Sequence, residues 1–143
     1  MKKILFVCHG NICRSPMAEF VMKDMVKKEG ISHLFEIASC ATSTEELGNP
    51  VYPPARRELM RHGIDPSGKH ARQITRADLT KYDLIYYMDR NNLRNLHRMF
   101  PGEDRFLPFL ERDVADPWYT GDFTQTWADI CEGCKRILEE NRS

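Results

Sequence analysis

Ile4-Leu5-Phe6-Val7-Cys8-His9-Gly10-Asn11-Ile12-Cys13-Arg14-Ser15-Pro16 takes the chain from one regular element into another. Ile4 to Val7 is short, apolar and β-prone, which reads as a buried parallel strand. Ser15-Pro16 reads as a helix start, with the serine as N-cap and the proline in the first helical position. Apolar residues then recur at Met17, Phe20, Val21, Met25 and Val26, which is helical spacing. His9 to Arg14 must therefore turn the chain from strand to helix, and Gly10 and Asn11 tolerate the positive φ that such a turn needs.

A turn of this kind aims its backbone N–H groups at a common centre, and the following helix adds partial positive charge there. A tetrahedral oxyanion such as a phosphoryl group fits that cradle. Arg14 can grip two of its oxygens with a planar fork. The same positive surroundings favour the thiolate form of Cys8, and Ser15 can donate a hydroxyl hydrogen bond to the sulfur. Taken alone, a cysteine at a strand end is a small buried hydrophobe. Arg14, Gly10 and the Ser-Pro helix start, all in register with Cys8, make it a candidate nucleophile instead.

Cys8 to Ser15, a Cys-x5-Arg-Ser loop close to the N-terminus, resembles the signature of the low-molecular-weight protein tyrosine phosphatases. The resemblance continues through Ser39-Cys40-Ala41-Thr42-Ser43, Gly48-Asn49-Pro50, Arg61-His62-Gly63-Ile64, Ala71-Arg72-Gln73, Met88-Asp89 and Asp116-Pro117-Trp118-Tyr119, in order and over nearly the whole chain. It implies hydrolysis of phosphotyrosine in proteins. Cys8 would be the nucleophile, and Arg14 with the loop residues His9, Gly10, Asn11, Ile12, Cys13 and Ser15 would bind phosphate. Asp116 would be the general acid and base.

Pro117 supports that assignment, because it holds the preceding aspartate in extended geometry at a fixed direction on its loop. The adjoining aromatic pair is expected to shield Asp116 from water, and Trp118 and Tyr119 to wall the pocket against a phosphotyrosine ring. Cys8 would attack phosphorus in line while Asp116 protonates the phenolic oxygen, and Asp116 would then activate the water that hydrolyses the phosphocysteine. The scheme requires no metal and no other cofactor. By resemblance, Asn11 holds the loop in its turn, and Cys13 is the second cysteine able to trap oxidised Cys8 as a disulfide. Buried packing is the other reading of Cys13.

Composition and length fit one enzyme domain over residues 1–143. The chain carries 21 basic and 21 acidic residues, so no global field draws it to nucleic acid or an anionic membrane. No run approaches the roughly twenty apolar residues of a membrane span, and the short N-terminal apolar segment is a strand rather than a signal peptide. An odd set of five cysteines fits a reducing cytoplasm. The expected partners are tyrosine-phosphorylated proteins, with phosphate or other oxyanions in the site.

Strand and helix signals alternate along the rest of the chain. Strands are expected at Leu34–Ala38, Leu84–Met88 and Arg105–Leu107, with a turn-rich loop over 40–54. A short helix should end near His62 with Gly63 in the C′ position, and Thr75-x-x-Asp78 should cap another. Helices from Asp89 to about Met99 and from Phe123 to Glu140 complete the pattern, the last presenting Trp127, Ile130, Ile137 and Leu138. The result is an α/β fold: a parallel sheet covered on both faces, with ligands beyond the C-terminal strand ends. The family implies a flavodoxin-like three-layer sandwich with a four-stranded parallel sheet in order 2-1-3-4.

Two positions depart from the family pattern. Relatives commonly place a histidine two residues before Ala-Arg-Gln; here Lys69 stands there, followed by His70, which could take over if the turn shifts. The pocket-wall position, often aromatic in relatives, is Glu45, followed by Glu46. That acidic rim should disfavour acidic sequence around the phosphotyrosine. His9 reads as a rim histidine, and Cys131-x-x-Cys134 as helix cysteines without a partner pair for a metal. Competing activities, kept as alternatives, use the same scaffold differently. A thiol-dependent arsenate reductase needs further cysteines near the end of strand three, and residues 82–89 hold none. A protein-arginine phosphatase usually has threonine where Ile12 stands. A non-catalytic phosphoprotein-binding or redox-sensing module would need neither Ser15 nor Asp116.

Overall fold

β1 (Lys2–Cys8) is buried from Ile4 onward, and its alternation divides the core in two. Ile4, Phe6 and Cys8 point into one cluster with Met17, Val21, Phe109 and Ile130; Leu5 and Val7 point into another with Ile85, Leu96 and Phe106. A strand buried on both faces reads as a continuous apolar run, which is why Ile4 to Val7 shows no polar alternation. The computed structural model describes residues 1–142. β1 lies between β2 (Phe35–Ala41) and β3 (Leu84–Tyr87), and β4 (Phe106–Pro108) follows β3, giving the expected parallel sheet in order β2-β1-β3-β4.

The helices are α1 (Arg14–Lys28), α2 (Pro53–Arg61), α3 (Arg76–Lys81), α4 (Arg90–Met99), α5 (Pro117–Thr120) and α6 (Phe123–Asn141). α1 and α6 pack against each other over the first cluster, with α2 beside α6. Residues of α3 and α4 close the second cluster. Gly63 ends α2 at φ 77°, and Thr75 with Asp78 forms the predicted capping box of α3.

Three local expectations are corrected. β2 runs on to Ala41, because Ser39, Cys40 and Ala41 pair with Phe6, Val7 and Cys8 of β1. α1 starts at Arg14 with Cys13 as N-cap, so Ser15 lies inside the first turn; its hydroxyl is committed elsewhere and caps nothing. Asp116 is not in an open loop but is the N-cap of α5, its carboxylate accepting from Trp118 N–H at 3.0 Å. Pro117 at the first helical position was the signal for that short helix.

Candidate active site

The site grows out of the C-terminal end of β1. Of the two residues expected to supply a positive φ, only Asn11 does so, at 59°. A left-handed non-glycine residue costs on the order of 1 kcal/mol, and here its side chain over-determines it. Asn11 Nδ2 donates to Ser15 Oγ at 2.8 Å and Ser39 Oγ at 2.9 Å, while Oδ1 accepts from Arg72 N–H at 3.2 Å. Gly10 has a different reason to be small. A Cβ there would lie 3.3 Å from Glu46 Cγ, so the turn after β2 closes directly over the loop.

Ser15 Oγ lies 3.0 Å from Cys8 Sγ, with both groups buried. A thiolate has no proton to give, so in that form of Cys8 the serine hydroxyl must be the donor. Arg14 is 2% exposed although charged. Its Nη1 donates to Asp89 Oδ2 and to Val114 O, each at 2.7 Å, and its Nη2 to Asp116 Oδ2 at 3.3 Å. Burial opposes the charge, but Cys8, Asp116 and Asp89 more than offset it and hold the guanidinium above its ordinary value. Cys8, His9, Gly10, Ile12, Cys13, Arg14 and Asp116 line one cavity of about 130 Å³, joined by Glu45, Glu46, Trp118 and Tyr119.

A buried cysteine, a buried guanidinium and a carboxylate thus meet on one small cavity. The family model of the low molecular weight phosphotyrosine protein phosphatases matches residues 3–142. The low molecular weight protein-tyrosine-phosphatase YfkJ of Bacillus subtilis is 37% identical over 96% of this chain and 94% of its own. The human low molecular weight phosphotyrosine protein phosphatase is 36% identical over 97% and 95%. The crystal structure of the Streptococcus pyogenes enzyme superposes with a TM-score of 0.92 at 42% identity, covering 100% of this chain and 95% of the other. The chain belongs to this family.

Within this member of the low-molecular-weight phosphatases, the walls differ from the sequence expectation in one respect. Trp118 is half exposed and Tyr119 is 85% exposed, so the aromatic pair stands open at the mouth and does not cover Asp116. What fixes Asp116 is Arg14 on one side and the Trp118 N–H of α5 on the other. Trp118 instead leans on Tyr52, with ring centroids 4.8 Å apart. His9 Nε2 meets Glu45 Oε2 at 2.9 Å, and Glu46 accepts from Asn49 Nδ2 at 2.6 Å, so both glutamates are anchored on the rim.

Asp89, Val114 and Tyr52 were missed as site residues by the sequence reading. Met88-Asp89 was visible as a motif, yet an aspartate before a helix reads first as a cap. Asp89 does cap α4, accepting from Asn92 N–H with Oδ1, and uses Oδ2 to hold Arg14.

The departure before Ala-Arg-Gln resolves in favour of Lys69. His70 is exposed and faces Gly48 O at 3.1 Å, outside the loop's network. Lys69 Nζ donates to Ser39 O at 2.8 Å and lies 3.5 Å from Glu19 Oε1. Glu19 in turn accepts from Ser39 Oγ at 2.6 Å, and Ser39 leads through Asn11 and Ser15 to Cys8. Burial lowers the Lys69 pKa, and Glu19 works against that shift. Lys69→Met is expected to reduce kcat about tenfold through loop displacement, with KM changed less. Steady-state kinetics check this; an unaltered kcat would detach Lys69 from the loop.

The remaining cysteines stand apart from the cavity lining. Cys40 is inside β2, Cys134 is buried in α6 with its thiol near Ala18 O at 3.4 Å, and Cys131 is half-buried on the same helix. Burial pushes all three thiols up.

Proposed function

We propose that this protein hydrolyses phosphotyrosine in proteins through a cysteinyl-phosphate intermediate, and that its 143 residues work as one enzymatic unit. The observation that carries the reading is the convergence of Cys8, Arg14 and Asp116 on one cavity bordered by two exposed aromatic rings. A phosphotyrosine ring passing between Trp118 and the loop delivers its phosphate to the N–H groups at the start of α1. Cys8 sulfur attacks phosphorus, and the bond to the phenolic oxygen breaks as Asp116 donates its proton to that oxygen. Arg14 and the loop amides from His9 to Ser15 hold the equatorial oxygens, whose charge grows in the transition state. Water then attacks phosphorus, Asp116 takes the proton, and the phosphorus–sulfur bond breaks to return the thiolate.

Arg14 suits this task because its outward ties are already fixed. Asp89 and Val114 O restrain Nη1, leaving Nε–H without a protein partner among the described residues. Hydrolysis of p-nitrophenyl phosphate and a phosphotyrosyl peptide, with reductant and chelator, tests the reading. Turnover of both substrates supports it; none by folded, reduced protein defeats it.

The five free cysteines suit a reducing compartment, and we assign the protein to the cytoplasm. No helix among the described residues is long and apolar enough to cross a membrane. Cys13 shares the cavity, and its thiol is pushed up by burial and then by Cys8 and Asp116. Peroxide converts Cys8 to the sulfenic acid; attack by Cys13 sulfur then forms the disulfide and releases water. Peroxide inactivation is expected to reverse with dithiothreitol in the parent and to become largely irreversible in Cys13→Ser. Equal recovery of both proteins would remove Cys13 from this role.

A further inference from the structure

The reaction cavity is small, whereas a groove of about 760 Å³ runs beside α2. Arg56, Arg57 and Arg61 line it from α2, and Asp122 and Phe123 from the start of α6. One stretch of chain serves both concavities: Trp118 and Tyr119 face the reaction cavity, and the groove begins at Gly121. Tyr52 ties them together. Its ring packs on Trp118 and, at 6.1 Å between centroids, on Phe123, while its N–H donates to Ile12 O at 2.9 Å. α2 therefore starts against the phosphate loop. Arg56 and Arg57 follow one turn later, about 6 Å along the helix axis.

Of the carboxylates around this groove only Glu58 is ion-paired; Asp122 and Asp65 keep their negative charge, Asp65 within reach of the Arg56 charge. Glu58 is buried and held by Arg61 and His62. Asp122 caps α6 by accepting from Gln125 N–H at 2.9 Å, and Asp65 accepts from Ser67 N–H at 3.0 Å. Arg56 reaches only Ser67 Oγ, at 3.5 Å, and Arg57 has no ion pair among the described residues. In a chain whose formal charges cancel, these two guanidinium groups form a local positive face.

We propose that the α2 groove docks an acidic segment of the phosphoprotein substrate, on one flank of the phosphotyrosine. This rests on the phosphatase reading above and adds a polarity to it. The acidic flank lies over Arg56 and Arg57, and a neutral or basic flank crosses the rim at Glu45 and Glu46. An extended chain advances about 3.3 Å per residue, so acidic side chains about two to four residues from the phosphotyrosine come abreast of the two arginines. Met60 and Phe123 supply apolar surface in the same groove for the stems of those side chains.

Three phosphotyrosyl peptides test the docking surface: one neutral, one with glutamates only on the N-terminal flank and one with glutamates only on the C-terminal flank. kcat/KM is measured for the parent and for the Arg56→Glu/Arg57→Glu double variant, beside p-nitrophenyl phosphate. One acidic peptide should exceed the neutral peptide by about fivefold, and the other should fall below it. The advantage should shrink with added salt and vanish in the double variant, whose p-nitrophenyl phosphate turnover stays unchanged. If neither acidic peptide exceeds the neutral one, or the advantage survives charge reversal, the docking surface is wrong. Failure of the parent to hydrolyse p-nitrophenyl phosphate would defeat the phosphatase reading instead.

Discussion

Cys8→Ser should lower kcat for p-nitrophenyl phosphate by about 10⁴-fold or more, to the limit of detection. The replacement is nearly isosteric, so the hydroxyl would lie close to the present sulfur position, 3.0 Å from Ser15 Oγ. Its nucleophilicity is the difference. The groups around this position are a serine hydroxyl and the amides of a helix start, and neither is a base able to take a proton from an alcohol. Arg14, Asp89 and Asp116 remain in place, so inorganic phosphate should still bind with affinity near that of the parent. Calorimetric titration with phosphate beside the kinetic assay separates lost chemistry from lost structure. A variant within tenfold of the parent in kcat would rule out attack by Cys8.

Asp116→Asn should produce a loss that depends on the leaving group. General acid catalysis contributes about 10²–10⁴-fold where the departing oxygen needs a proton, and little where it departs readily as an anion. Phenyl phosphate and phosphotyrosine should therefore slow by about 10³-fold, and p-nitrophenyl phosphate by much less. Asparagine keeps an oxygen able to accept from Trp118 N–H, so α5 retains its cap. It loses the carboxylate that faces Arg14 Nη2 at 3.3 Å. A Brønsted plot of log kcat against phenol acidity measures the effect, and parallel lines for parent and variant would exclude proton donation by Asp116.

The sheet was legible because its strands advertise burial on both faces: Ile4 to Val7 and Leu84 to Tyr87 are almost unbroken apolar runs. Cys8, Arg14 and Ser15 were legible because their spacing ties three side chains to one turn. The start of α1 was misread. Ser15-Pro16 is a common cap pattern, and nothing local says that the serine hydroxyl is drawn toward sulfur and Cys40 O. Asp89 and Lys69 were hidden for a related reason. Asp89 reaches Arg14 across 75 residues and Lys69 reaches Ser39 across 30, through contacts that exist only once the sheet has formed. The openness of Trp118 and Tyr119 was also unreadable, since it depends on Tyr52 occupying the side of Trp118.

Four helices of this chain carry polar side chains at their starts: the capping box at Thr75 for α3, and Asp89, Asp116 and Asp122 for α4, α5 and α6. α1 and α2 do not; the N-cap of α1 is Cys13, and no side chain caps its first-turn N–H groups. An oxyanion seated in the loop would supply that cap, making the reaction product a structural complement to the native state. Binding the folded chain and not the unfolded one, phosphate at a hundred times its dissociation constant would add about 2.7 kcal/mol of stability. Product inhibition and thermal protection are then one equilibrium seen from two sides, and the phosphate level around the enzyme sets its melting temperature together with its free fraction.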